Sequence, residues 1–418
     1  MTNDHRSLKT DSASQGHRKQ VLAICGGGNA AHAVAVVASG NFDGDIVWLR
    51  GSEKKADDLR RGVFSKEGLR STGVISGLAD KVKTISSDPQ EILPVADLVI
   101  LVVPAFAHVI WLRKIAPHLK STALIGALPA RSGFEFDVMR IIPGIRPTGE
   151  RQVFGLQTLP WSTRVQQPGK LANIGALKAR VCVATMPGSH AAILAPLLTA
   201  LLGTEVIASS NFLNMTLGNP GQIIHPGIMY GWFSKWSGKR YRQDEIPRFY
   251  ADLSDCTGEL VESLSNDVVA VASNIAQASK GKLDMSDTLP IHEWLRMSYP
   301  TQTADFTSVA SCLRTGPIQA RKAPMTEIAP GEFVPDFQYR YLSEDMPYGL
   351  AVVKAIGEMA EVATPTLDAV IEWSQEKLGK QYLVNKKLTG TNVHELRIPQ
   401  NYGINNLRDL LDFYVKWS

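Results

Sequence analysis

The turn Gly26-Gly27-Gly28 opens the spacing Gly26-x-Gly28-x-x-Ala31, with Asn29 inside it. That spacing suits a phosphate. The first glycine makes a tight turn, the second lets backbone approach a pyrophosphate, and the small third residue allows a helix to pack closely on a strand. The anion then rests on the helix N-terminus. With an apolar run before it and a helical pattern after it, the match predicts a dinucleotide site touching Gly26, Gly28, Asn29 and Ala31. About twenty residues on, NAD enzymes place a carboxylate against the ribose 2′-hydroxyl. Here the sequence reads Leu49-Arg50-Gly51-Ser52-Glu53-Lys54, so Arg50, Ser52 and Lys54 favour a 2′-phosphate and NADP, and Glu53 is the nearest acid. The alternative is that Arg50 stacks on adenine or points into solvent.

Proton transfer has a candidate in His225, within Asn219-Pro220-Gly221-Gln222-Ile223-Ile224-His225-Pro226-Gly227-Ile228-Met229-Tyr230-Gly231. The segment is dense in turn-formers, and imidazole is the usual acid or base near neutral pH. A second constellation, Arg340-Tyr341-Leu342-Ser343-Glu344-Asp345, precedes a long helix. Asp345 or Glu344 can orient His225 and stabilise its imidazolium. Helix N-terminal acids complementing a dipole are the plainer reading of that pair. Val103-Pro104-Ala105-Phe106-Ala107-His108 leaves the carboxyl end of a strand, where open α/β sheets bind ligands. That places Pro104 on the nicotinamide side and leaves His108 as a structural or helix-face histidine.

The frame that must position these residues is legible as two halves. Val21–Cys25, Ile46–Leu49, Leu98–Val103, Ala123–Gly126 and Val181–Ala184 are short apolar runs that alternate with helical stretches, the pattern of a parallel α/β sheet. After about residue 190 strand signals become rare. Leu260, Leu264, Val268, Ala272 and Ile275 recur at helical spacing, and Leu350, Val353, Ile356 and Val362 repeat the pattern. Thr364 can cap a further helix that carries Leu367, Val370, Ile371 and Leu378. The expected fold is an α/β Rossmann domain with a parallel sheet over 21–203, followed by an all-α C-terminal domain over 204–418. Residues 1–20 are expected to be a flexible tail.

Composition narrows the function classes. Over 418 residues, 44 Lys+Arg against 40 Asp+Glu leave a net charge of +4, too little for a nucleic-acid or membrane footprint. Cys25, Cys182, Cys256 and Cys312 lie far apart with no CxxC spacing, which argues against a zinc site or a disulfide framework. They suit a reducing compartment, and no apolar signal segment is seen near residue 1, so a cytoplasmic location is expected.

In these segments the chain resembles the animal opine dehydrogenases of the octopine and tauropine dehydrogenase type. The resemblance is carried by Cys25-Gly26-Gly27-Gly28-Asn29 with His32, Val103–His108, Gly133-Phe134-Glu135-Phe136, Thr158-Leu159-Pro160-Trp161, His225-Pro226, Arg340-Tyr341-Leu342 with Glu344-Asp345, and Thr389-Gly390. It implies a Rossmann domain and a helical domain with the active site in the cleft between them. It also implies NAD as cofactor and small-molecule substrates, an amino acid condensed reductively with a 2-oxo acid, usually pyruvate. His225 and Asp345 become the catalytic pair, Arg340 a contact of the cofactor pyrophosphate and substrate, and the protein a monomer or homodimer. Three departures bear on specificity. Arg50-Gly51-Ser52 stands where the octopine type is acidic. Arg131 replaces a neutral amide near the cleft, as a substrate clamp or a surface change. Thr163 stands where a cysteine occurs, and with Tyr230 it is assigned to substrate. The rival readings are a ketone-reducing dehydrogenase, like ketopantoate reductase or glycerol-3-phosphate dehydrogenase, and a cofactor-binding regulator without turnover.

Overall fold

A computed structural model of the chain describes residues 19–149 and 151–418. The tail expected over residues 1–20 lies outside the described residues except for Lys19 and Gln20.

The first apolar run forms the strand Gln20–Gly26, inside an eight-stranded sheet. From one edge the order is Val82–Ser86, Gly44–Leu49, Gln20–Gly26, Leu98–Val102, Leu124–Ala127, Gln152–Leu156, Arg180–Met186 and Glu205–Ala208. In chain order the first six strands run 3-2-1-4-5-6, the doubly wound arrangement. All pairs are parallel except Gln152–Leu156 with Arg180–Met186. Leu22, Ala23, Ile24 and Cys25 are wholly buried, as a strand covered on both faces requires. Strand order reverses at the parallel pair Gln20–Gly26 and Leu98–Val102, so their carboxyl ends frame the crevice. Gly26 closes its strand at φ 136°, and a Cβ there would lie 2.3 Å from the Val102 carbonyl oxygen. No side chain fits that crossing.

The helix Asn29–Asn41 buries Ala31 through Ser39. It packs on the main sheet and on a second sheet that the sequence reading did not contain, formed by Gly77–Leu78, Arg70–Gly73, Leu171–Leu177 and Trp161–Gln167. Covered on two sides, this helix needs small apolar residues nearly all round, which explains its run of alanines and valines.

Beyond the edge strand Glu205–Ala208 the chain is mostly helical. Its longest helix, Asp255–Ala278, is capped by Ser254 and buries Leu264, Val268, Ala272 and Ile275, the predicted face. Thr364 stands at the N-cap of Pro365–Leu378 but makes no capping bond. The hairpins Met325–Ala329 with Glu332–Pro335, and Leu383–Val384 with Lys387–Leu388, are the strands in this half. One buried cluster runs from Val99 and Phe134 to Ile223, Leu264, Val353 and Tyr414, so the two halves share a core. No helix among the described residues is long and apolar enough to cross a membrane.

The turn-formers around His225 do not make turns. They form a single helix, Pro220–Phe233, that passes through Pro226. Asn219 caps it by accepting from the Gly221 N–H at 3.0 Å, and Pro220 begins it. Gly231 faces the long helix, and a Cβ there would lie 2.5 Å from the Thr257 side chain. Glycine serves close helix approach here.

Candidate active site

His225 and Asp345 are 120 residues apart in sequence and meet at 2.7 Å, Nδ1 to Oδ2. Asp345 is wholly buried just before the irregular turn Met346–Leu350, while the His225 side chain stays 15% exposed. A carboxylate accepts from Nδ1–H, which fixes the tautomer and leaves Nε2 for the cavity that His225 lines. The imidazole stacks on Tyr341, with centroids 4.0 Å apart and planes at 17°. Burial pulls the His225 pKa below its ordinary value, and Asp345 opposes that pull. Burial raises the Asp345 pKa, yet Arg131 and His225 together hold it below the carboxylate range.

Arg131 supplies that second charge. It is 5% exposed, at φ 59°, in the loop between Leu124–Ala127 and Phe134–Ile141. Its Nη1 lies 2.5 Å from the other Asp345 oxygen, its Nε lies 3.5 Å from Glu344, and Nη1 also donates to Asn219 at 3.2 Å. Arg131 is therefore not a surface residue. Glu344 in turn accepts from the Ala105 N–H at 2.9 Å, which ties the loop after Leu98–Val102 to the helical half.

These groups border a cavity of about 390 Å³. It brings together Gly28, Asn29, Pro104, Arg131, Thr163, His225 and Arg340, with Gln157, Lys178 and Arg321. Asp345 lies behind His225, and Ala31 is buried beneath the glycine turn. Gly26, Arg50 and Ser52 stand outside this cavity. Tyr230 does not reach it either: about 140° round the helix from His225, it packs edge-on against Trp373 at 5.5 Å. His108 is wholly buried and meets Arg397 through Nδ1 at 3.2 Å, and burial with that cation pushes its pKa well down. It belongs to the core.

The glycine turn fits a dinucleotide. Gly28 is the N-cap of Asn29–Asn41 with no side-chain capping bond, and the first turn holds no acid. A Cβ on Gly28 would meet nothing within 4 Å, so the approach to the helix amides is open. Arg50 folds over the turn, Nη1 donating to the Gly26 carbonyl at 2.7 Å. Ser52 caps the next helix by position, and Glu53 is held by Arg60 and Ser87.

Sequence reasoning missed four residues here. Arg321 and Lys178 carry no motif. Gln157 precedes the Thr158–Trp161 motif and bridges Gly218 and Trp294. Arg397 stands in an apolar stretch, Leu396-Arg397-Ile398, the one signal that could have marked it as buried.

Known proteins match this chain over most of its length. The family described as NAD/NADP octopine/nopaline dehydrogenase, alpha-helical domain, matches residues 208–378. A tauropine dehydrogenase from Arabella iricolor is 33% identical over 405 residues, covering 94% of this chain and all of the relative. The chain belongs to the opine dehydrogenase family. Two structures of an octopine dehydrogenase, one with NADH and L-arginine and one with NADH and pyruvate, superpose with TM-scores of 0.79 and 0.78. Each is 29% identical and covers 94% of this chain and 98% of its own. Opine dehydrogenase membership makes the chain an NAD(P)H-dependent oxidoreductase with a Rossmann-like domain before a mostly helical one.

Proposed function

We propose that this chain condenses the amino group of an amino acid with a 2-oxo acid, pyruvate in the first instance, and reduces the imine with NAD(P)H. The observation that supports it most is the His225–Asp345 pair at 2.7 Å, opening onto a cavity that also contains the glycine turn and Arg340. In this reading His225 Nε2 takes a proton from the ammonium group, freeing the amine to attack the keto carbon. The attacking nitrogen passes a second proton to the new alkoxide, His225 returns its own to the resulting hydroxyl, water leaves, and a protonated C=N bond forms. Asp345 stabilises the imidazolium between the two transfers. Gly26, Gly28, Asn29, Ala31, Pro104 and Arg340 hold the cofactor, which supplies the hydride. Thr163 contacts substrate. Tyr230, packed on Trp373, acts only by supporting the helix that carries His225.

For the ribose, no carboxylate stands at the end of Gly44–Leu49, and Glu53 is engaged elsewhere. Arg50, Ser52 and Lys54 then favour NADPH alongside or ahead of NADH. The four thiols are unpaired, which supports a reducing, cytoplasmic setting.

The test is a matrix of amino acids against oxo acids with NADH and NADPH, with products identified by mass. A product with a new C–N bond is expected. A hydroxy acid would move the enzyme to the ketone reductases, and cofactor binding without oxidation on any pair would make it a regulator. His225→Gln is expected to lower kcat by about 10²-fold or more with an unchanged melting temperature. A loss under about threefold would remove His225 from the chemistry.

A further inference from the structure

Arg321 is a half-buried cation facing the cleft without a carboxylate. Its Nη1 meets the Tyr341 hydroxyl at 3.5 Å, and Tyr250 and Tyr339 border the same cavity. Tyr341 is also the ring stacked on His225, so one tyrosine separates the guanidinium from the imidazole. Arg321 borders both the cavity of His225 and an adjoining one of about 480 Å³. Among the described residues the second cavity is lined by Arg164, Arg321 and Lys322 and by no Asp or Glu. Thr163 lines both, and its Oγ1 is buried without a partner.

A half-buried cation with no counter-charge is only partly compensated by solvent, and a buried hydroxyl with nothing to bond is costly. One ligand satisfies both: an anion with oxygen acceptors, placed beside His225. We propose that Arg321 and Thr163 bind the acid group of the amino substrate, a carboxylate or sulfonate, and that the remainder of this substrate carries no positive charge. The inference rests on the opine-forming reading for the identity of the ligand. Arg340 has the charges of Glu344 and Asp345 beside it, and Arg131 is already neutralised by Asp345. Lys178 donates to the Leu159 carbonyl and lies over the Trp294 and Tyr299 rings, so Arg321 is the cation left for the second acid. A guanidinium or ammonium side chain on the substrate that extended into the adjoining cavity would meet Arg321, Arg164 and Lys322 with no carboxylate among the described lining residues to pair with, and this disfavours it. Arg164 and Lys322 are exposed, so solvent weakens their share and the discrimination rests on Arg321.

The experiment measures turnover of taurine, β-alanine, alanine, norvaline, lysine and arginine with pyruvate, in the wild type, Arg321→Met, Arg321→Lys and Thr163→Val. Binding of the same compounds to the enzyme–NADH complex, followed by nicotinamide fluorescence, reads the contact without turnover. Arg321→Met is expected to raise KM and Kd for the preferred acid-bearing amine about 10- to 100-fold, the loss of a charged hydrogen bond. The pyruvate KM should stay within about threefold, Arg321→Lys should recover most of the loss, and Thr163→Val should show a smaller rise of the same kind. Arginine and lysine should trail norvaline by at least about tenfold in kcat/KM. A rise in pyruvate KM instead, an unchanged Kd for the amine, or a preference for arginine would each overturn the assignment. No oxidation on any pair, with amine binding still weakened in Arg321→Met, would leave this site standing and remove the opine-forming reading.

Discussion

Arg131→Gln tests how the buried carboxylate shares its charge. Asp345 gives one oxygen to His225 at 2.7 Å and the other to Arg131 at 2.5 Å. The guanidinium therefore stands roughly 6 Å from the imidazole, and at an effective dielectric of about 20 it disfavours the imidazolium by about 3 kcal/mol. A glutamine amide carries no charge, so Arg131→Gln removes most of that opposition. The sign follows from the charge. Arg131 lowers the His225 pKa, so its removal raises it, and the limb of the kcat/KM profile governed by His225 moves to higher pH. The assay is a pH profile of NAD(P)H oxidation with the preferred substrate pair, alongside a melting curve to check the fold. A limb that stays put or moves down would refute the reasoning. A raised KM for one acidic substrate with an unmoved limb would make Arg131 a substrate clamp.

Three further outcomes are expected. Arg50→Asp should shift the kcat/KM ratio towards NADH by about ten- to a hundredfold, the scale of a charged hydrogen bond, and an unchanged ratio would place Arg50 outside ribose selection. Gly231→Ala should lower stability by about 1–3 kcal/mol in denaturant titration, because the added methyl meets Thr257, and a neutral result would mean the helices separate cheaply. Glu135 is wholly buried and its pKa is raised from 4.5 to about 7 by that burial. The folded state then holds a proton the unfolded state has lost, so stability falls as pH rises from about 4.5 to about 7. Glu135→Gln should flatten that part of the melting-temperature profile, and an identical slope in both proteins would assign the loss to other groups.

What was legible in the sequence is what local physics enforces. A buried parallel strand needs a continuous apolar run, and a phosphate turn needs glycines at fixed offsets, so Val21–Cys25 and Gly26-x-Gly28 could be read directly. The second sheet was invisible because Arg70–Gly73 and Gly77–Leu78 are short and half polar, with no two-residue pattern long enough to register. The glycines and proline after Asn219 signalled turns, since their role in helix packing depends on Asp255–Ala278, far along the chain. For the site, residue types pointed to His225 and Asp345, but only the fold joins them. Nothing local indicated that Arg131 would be spent on Asp345 or that Tyr230 would point away from the cleft.

The carboxyl-terminal segment carries a consequence for how the chain is made. Arg397 is paired with Asp137 at 2.7 Å and donates to the Ala105 carbonyl at 2.9 Å, a contact spanning 292 positions. Tyr402 donates to Asp137 at 2.5 Å, and Tyr414 donates to Glu135. Until residues 397–414 leave the ribosome, two carboxylates in the helix Phe134–Ile141 lack their native partners, although the sheet beside them has long been synthesised. Contacts of such separation slow folding, since loop closure comes before the reward. The nucleotide half is therefore completed by side chains that lie more than 250 positions further along the chain, and removing residues 397–414 is expected to lower its stability.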